Sequence, residues 1–378
     1  MSVNKYIVFG LMSLVCLTMH AKDKLTIDGI LNWPVIGMVY PGFSPETDWQ
    51  FGLGLESSFR IKDEQKPSVL LVLGAYTLRH QWYLRSSGTL YMPGTTPWML
   101  QYSVQYRDYP DVYYGRGNTI HDSRKYDSKR LTVNLQPMVR LAQNWSVGPM
   151  MDLLWEKHNL DRKDTTYMGD SQTMMWGIGL VAQHDTRDNT QFPTKGLFFK
   201  WNSTYYEPKL GADCRLVKLE ADFRHYVTLW QPQGEMTDFK RTQGSLIFAY
   251  QVRAMAALSD GHSAAIPFQM LPTLGGEDLV RGLRTNMFRD NVLWAVQGEL
   301  RFPIFTLLRG AVFAGVGDVY NTDHWNWTTP KVGYGVGLRL AISKTHVNVR
   351  FDVARNNIDK SWSDRSSYSF YFTATESF

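Results

Sequence analysis

The 378-residue sequence holds only two cysteines, Cys16 and Cys214. Cys16 falls inside an N-terminal stretch that reads as an export signal, so one thiol remains in the expected mature chain. That excludes an intramolecular disulfide framework and argues against thiol-ligated zinc. Long apolar runs are lacking too. The N-terminal run, Ile7 to Thr18, falls short of the ~20 residues a membrane-spanning helix needs. Charge of one sign is also scarce: 40 Lys and Arg against 35 Asp and Glu leave a formal +5, with no basic arm, which argues against a nucleic-acid partner. Catalytic motifs are missing as well. There is no G-x-S-x-G, H-E-x-x-H or phosphate loop, and the nine histidines, His184 and His346 among them, show no spacing of a base or metal set. Neither enzyme activity nor a cofactor or metal is expected.

Aromatic residues, by contrast, are plentiful: 14% of the chain, with 20 Tyr and 13 Trp. Mean hydropathy is an ordinary −0.29. Lys5, the apolar run after it and Ala21 have the layout of a signal peptide over residues 1–21. A short periplasmic segment, 22–33, and a barrel domain, 34–378, complete the expected organisation. An exported, aromatic-rich chain with no long apolar run fits a transmembrane β-barrel, whose strands hide their apolar face by alternation. A secreted β-sandwich is the competing reading.

Alternation is clearest towards the C-terminus. Val292, Trp294, Val296, Leu300 and Phe302 share one face of a strand; Ala295, Gln297, Glu299 and Arg301 share the other. In His346–Ala354, Val347, Val349, Phe351 and Val353 oppose His346, Asn348, Arg350 and Asp352. One face meets apolar material and the other a polar surface or lumen. About sixteen such segments can be read from Pro34 onward, among them Trp98–Tyr106 and Leu131–Leu141. Long polar links alternate with short ones, the pattern of outer loops and periplasmic turns. Two links break it: the one near Leu78–Gln81 is short for an outer loop, and the one after Leu229 is long for a turn. Trp33, Trp49, Trp98, Trp145 and Tyr206 at segment ends suggest interfacial girdles.

One link stands apart. Ser259 to Asp290 carries Leu274–Leu283, LGGEDLVRGL. A loop of such length is uncommon unless it is functional or disordered. Gly275, Gly276 and Gly282 allow sharp turns, and Arg281 places a permanent cation between Val280 and Gly282. The segment reads as a loop that tucks in and docks by its arginine.

The LGGEDLVRGL stretch resembles the defining loop of the BamA/TamA-like outer-membrane proteins, also called bacterial surface antigens, with Val280-Arg281-Gly282-Leu283 at its tip. Asp185-Thr186-Arg187-Asp188-Asn189 with Pro193-Thr194-Lys195-Gly196 is similar to that family's strand–turn–strand element. Gly298-Glu299-Leu300-Arg301-Phe302-Pro303 resembles the strand after the loop. Tyr106–Pro110 with Tyr114–Asn118, and Pro34–Gly37 with Ser44–Thr47, match more loosely. The terminal Phe378 is similar to the C-terminal recognition residue of outer-membrane barrels. The resemblance implies an all-β fold: an antiparallel transmembrane barrel of about sixteen strands in the outer membrane, with the loop folded into the lumen. It also implies that Arg281 pairs with Glu299 and with an aspartate in an F-x-D-x-G stretch. Here that stretch reads Phe313-Ala314-Gly315-Val316-Gly317, so the second acid is missing, and Asp318 has the wrong parity to replace it.

Larger members carry periplasmic POTRA domains that receive unfolded clients. Lys22–Trp33 is too short for a domain of ~50 residues, so a separate periplasmic partner is expected. The implied function is insertion or transport of proteins or lipids at the outer membrane. A pore gated by the 259–290 loop is the alternative, and an outer-membrane hydrolase a weaker one. Glu277 joins the loop's candidate residues. Asp185, Arg187 and Asp188 are read as turn residues rather than an acid pair, with Pro193 and Gly196 supplying the turn geometry.

Overall fold

Alternating side chains require a surface with two unlike faces, and the sheet supplies one. The computed structural model describes residues 35–44, 48–59, 61, 68–92, 97–120, 123–142, 144–160, 171–190, 192–260, 266–322, 330–341, 348–358, 368–373 and 378. The signal-peptide and 22–33 readings, and the Pro45–Thr47 match, lie outside the described residues.

The first strands are β1 (Val35–Ser44), β2 (Asp48–Phe59), β3 (Ser68–Thr77), β4 (Trp82–Met92), β5 (Trp98–Tyr113) and β6 (Arg124–Ala142). Next come β7 (Trp145–His158), β8 (Gln172–Asp185), β9 (Gly196–Tyr206), β10 (Leu216–Trp230) and β11 (Leu246–Leu258). A two-residue hairpin, β12 (Thr273–Leu274) with β13 (Phe288–Arg289), interrupts the meander. It closes with β14 (Val292–Phe305), β15 (Leu308–Tyr320), β16 (Lys331–Ala341), β17 (Asn348–Asn356) and β18 (Tyr368–Thr373). Apart from the hairpin, the strands form one sixteen-stranded antiparallel sheet in which every neighbour is the next strand in sequence.

Which face is hidden decides between barrel and sandwich. On β14, Val296 is 39% exposed, whereas Gln297, Glu299 and Arg301 are 4% or less. On β17, Phe351 is 41% exposed, while Arg350 and Asp352 are buried. Leu53, Leu180, Val336 and Leu338 are likewise exposed. A soluble sandwich buries its apolar face; this sheet turns it outward and keeps charge inside, as a bilayer-spanning barrel does. The chain is a transmembrane β-barrel, and the sandwich reading fails.

Several sequence expectations need correcting. β5 runs on to Tyr113 and β6 begins at Arg124, so Tyr106–Pro110 is strand rather than link. The extension is polar, tied by Arg107–Asp111 and Lys129–Asp108 pairs, which is why apolar alternation does not reveal it. Trp98 and Trp145, 41% and 42% exposed, lie on the outer face. Tyr206 does not: it is buried, with its hydroxyl 2.6 Å from Asp152 on the inner side. The two irregular links are real. Leu78–Gln81 is a tight turn with His80 at φ 62°, and the turn after β10 holds a short helix, Asp238–Gly244, capped by Thr237.

Candidate functional site

The loop between β11 and β14 lies against the inner face of the sheet, held at both ends and at its tip. At its outer end, Gly117 N donates to Arg289 O at 2.8 Å, and Arg116 pairs with Asp290 at 2.8 Å. These residues bring the Tyr114–Asn118 motif onto the loop. Arg289 also stacks over Tyr113 and Phe268, 5.3 and 5.0 Å from their ring centroids. Leu274, Leu279, Val280, Leu283, Met287 and Phe288 are buried in one apolar cluster with the wall residues Leu293, Ala295 and Val319.

The tip turns on two left-handed residues, Val280 (φ 54°) and Gly282 (φ 112°). At Gly282 a Cβ would stand 2.3 Å from the backbone oxygen of Arg355, so no side chain fits. The backbone is satisfied almost atom by atom. Val280 N donates to Gln297 at 3.1 Å, Gly282 N to the Tyr371 hydroxyl at 3.0 Å, and Asn356 donates to Gly282 O at 2.7 Å. Gly276 N donates to Leu283 O, and Gly275 packs against the carbonyl of Arg284, closing the base of the tip. Polar groups buried this way cost free energy unless paired.

Between these contacts Arg281 points into the wall and is 2% exposed. Its two terminal nitrogens bond to Glu299 on β14 and to Asp352 on β17. The sequence comparison leaves the second acid unfilled; Asp352 fills it, three strands away from Glu299. Arg339 reaches the same two carboxylates, Glu299 at 2.9 Å and Asp352. Arg301 binds Glu299 at 2.9 Å, and Arg350 lies 3.5 Å from Asp352. Four guanidiniums thus share two buried carboxylates. Glu277, half exposed, lies 3.6 Å from Arg350. Asp318 takes no part in this network; it pairs with Lys331 at 3.0 Å.

Glycines make room for this arrangement. Gly315 and Gly333 lie side by side on β15 and β16. A Cβ at Gly333 would stand 2.1 Å from Arg281 O, and one at Gly315 3.4 Å from Val280 Cα. On the row shared by Arg301, Ala311, Gly337 and Asp352, a Cβ at Gly337 would meet the Asp352 carboxylate at 1.9 Å. The glycine found in place of the family's aspartate is therefore part of the trough that admits the loop backbone.

The β8–β9 turn is closed by its own side chains. Arg187 grips Asp185 with two 2.9 Å bonds and stacks over Phe198. Asp188 accepts from the backbone of Asn189, Thr194 and Lys195. Pro193 is buried beside Phe192, and Gly196 (φ 106°) opens β9. Phe192 lies under Arg301 and Arg309. Phe378 is also brought inside, buried with Tyr226 and Ala249, its carbonyl 3.3 Å from Arg301. Sequence reasoning missed Arg339, Tyr371 and Asn356. Parity places all three on the inner face, but parity does not give height along the barrel.

The fold is similar to BamA from Haemophilus ducreyi lacking POTRA domains 1–3, at TM-score 0.58 and 16% identity, over 89% of this chain and 68% of that one. It is similar to CdiB from Escherichia coli at TM-score 0.59 and 15% identity, over 90% and 62%. For CdiB from Acinetobacter baumannii the values are 0.54 and 12%, over 90% and 65%. The chain thus spans less than two thirds of either CdiB chain. No curated protein matches the sequence. Residues 74–378 match the Omp85 superfamily domain. That match covers most of a sixteen-stranded outer-membrane barrel, and the chain belongs to the Omp85 superfamily.

Proposed function

We propose that this barrel assists the insertion or transport of proteins or lipids at the outer membrane, working by lateral opening between β1 and β18. The observation that carries the reading is the loop tip locked to the inner wall by Arg281, Glu299 and Asp352 in an Omp85 barrel. This lock ties the loop to β14 and β17, and Tyr371 ties it to β18 itself. A loop bonded to β18 can couple its own position to the state of the seam between β18 and β1. Pro41 in β1 removes a ladder donor and weakens any pairing there. The client is an unfolded polypeptide or a lipid, and a periplasmic partner delivers it. No nucleotide, metal or other cofactor enters this scheme.

The test is a crosslink. With Cys214 replaced by serine, cysteines scanned along Ile36–Tyr40 are paired with one at Phe370. Oxidation is expected to halt client assembly or transport, with recovery on reduction. Undiminished assembly through a locked seam would overturn lateral opening. Ion conductance that appears only when the 274–283 loop is deleted would instead favour the gated pore.

A further inference from the structure

The link between Trp230 and Leu246 is long for the periplasmic end of the barrel. Two residues suffice there between β6 and β7, and again between β14 and β15. It is folded rather than slack. Thr237 caps the helix Asp238–Gly244, its side chain accepting from Lys240 N at 3.3 Å. A Cβ at Gly244 would stand 2.6 Å from the Pro232 ring, so the start and end of the link press together. The helix also packs against β14. Nor does the link hang clear of the barrel. Arg309 stands on the inner face of β15, two strands beyond β11, and is fully buried. It donates to Thr242 O at 3.1 Å and to Ser245 O at 2.8 Å. These acceptors belong to the last turn of the helix and its C-cap, so that end is drawn inward beneath β11 and β14. Gln243, between them, is only 1% exposed.

Charge holds this end in place. Arg309 is level with Arg339 on β16 and Arg350 on β17, a row of three buried guanidiniums at the base of the arginine–carboxylate cluster. The carbonyls that end a helix carry partial negative charge, and here they meet the first member of that row. Arg309 also donates to Arg301 O at 3.5 Å, and Phe192 lies under both arginines. Arg301 binds Glu299, which binds Arg281. A run of contacts thus joins the helix to the loop tip. One feature opposes the closed position. The Gln243 amide is buried, and neither its oxygen nor its nitrogen has a partner among the described residues. An amide buried unpaired costs free energy that it recovers in water.

We propose that the 231–245 link is a strap across the base of the cluster, fastened by Arg309, and that opening it loosens the Arg281 lock. A released helix takes two bonds from Arg309 and admits water beneath Arg301, and ion pairs attract less strongly in water than in a dry interior. A pull on the helix from the periplasm then reaches the loop tip. The inference concerns how the lock is released, and it stands whether or not the seam between β1 and β18 opens.

The experiment uses the full chain folded in detergent micelles, where both ends are open to protease. Trypsin cleavage is timed at Lys240 and Arg241 in the strap, at Arg281 and Arg284 in the loop, and at Arg215 on the far rim. Thr237→Ala removes the helix cap without touching the cluster. It should speed cleavage several-fold in the strap and in the loop, and leave Arg215 unchanged. Arg309→Gln should do the same more strongly. Gln243→Leu, which removes the unpaired amide, should slow both. Strap cleavage in wild type as fast as in Arg309→Gln would mean that the strap is not fastened. A faster strap with an unchanged loop in Thr237→Ala would sever strap from lock, and an equal rise at Arg215 would mark general loosening. Each of these outcomes overturns the proposal. Should Arg309→Gln fail to fold, the other two variants decide it. Opposite shifts at both strap and loop support the coupling, and shifts confined to the strap refute it.

Discussion

The Arg281 guanidinium lies over the ring of Phe313, its Cζ 3.5 Å from the centroid, while its two terminal nitrogens reach Glu299 and Asp352. Only a planar, forked cation can stack on a ring and bind two separated carboxylates at once. Arg281→Lys keeps the charge but can serve only one acid well. The loss of a charge-assisted bond is worth about 1.5–3 kcal/mol. The expected result is a lower gel-shift unfolding midpoint and protease cleavage within 274–283. A lysine variant with the wild-type midpoint and an uncut loop would show that the cluster does not hold the tip.

Removing an acid should hurt more than removing that arginine. Glu299 contacts Arg281, Arg301 and Arg339; Asp352 contacts Arg281, Arg339 and Arg350. Without Arg281, each carboxylate retains two cations. Without either carboxylate, three buried guanidiniums each lose a contact and the four cations are left around one shared acid; breaking a buried pair from the acid side costs about 3–5 kcal/mol. Glu299→Gln and Asp352→Asn are therefore expected to fold less stably than Arg281→Lys. Midpoints compared in one detergent check the order, and the reverse order would contradict the charge count.

The sheet was legible in the sequence because lipid on one side and a polar interior on the other impose a period of two. Val296 and Glu299 differ in parity, and they differ in exposure. The Arg281–Glu299 pair could be named because each residue sits in a motif of the family resemblance, which implies their pairing. Asp352 could not: its parity marks it as inward-facing, yet only the register through Gly337 and Ala311 places it level with Arg301. Gly315 looked like a missing acid when read along the chain. In space it is room for the loop. The polar upper halves of β5 and β6 escaped notice because charge on both faces erases the alternation that marks a strand.

Close approach at the trough gives a steric prediction. A methyl group at Gly333 would stand 2.1 Å from the backbone oxygen of Arg281, and backbone cannot swing aside as a side-chain tip can. Gly333→Ala should displace the tip, at a cost of about 1–3 kcal/mol for overpacking. Gly74, on β3, is the control, since a methyl there meets Leu84 at an ordinary 3.6 Å. Protease mapping should find the 274–283 loop cut in Gly333→Ala and intact in Gly74→Ala. Equal protection in both would mean the tip has slack.

Cys214, in the link between β9 and β10, offers a readout of the outer rim. Burial, then the nearby charges of Asp213 and Asp260, push its thiol up to about 11. The thiolate is the reacting species, so at pH 8 only about one thiol in a thousand is reactive, against about a quarter for a free cysteine near 8.5. Alkylation at Cys214, followed by peptide mapping, should be slow at pH 8. Its rate should climb about tenfold per pH unit up to pH 10, where a free thiol has already levelled off. Asp213→Asn removes one of the neighbouring negative charges and should speed the reaction at pH 8. A rate that saturates near pH 9 in the wild-type barrel would mean that the thiol is solvated, and that the packing of Cys214 beside Met175 does not persist in the membrane.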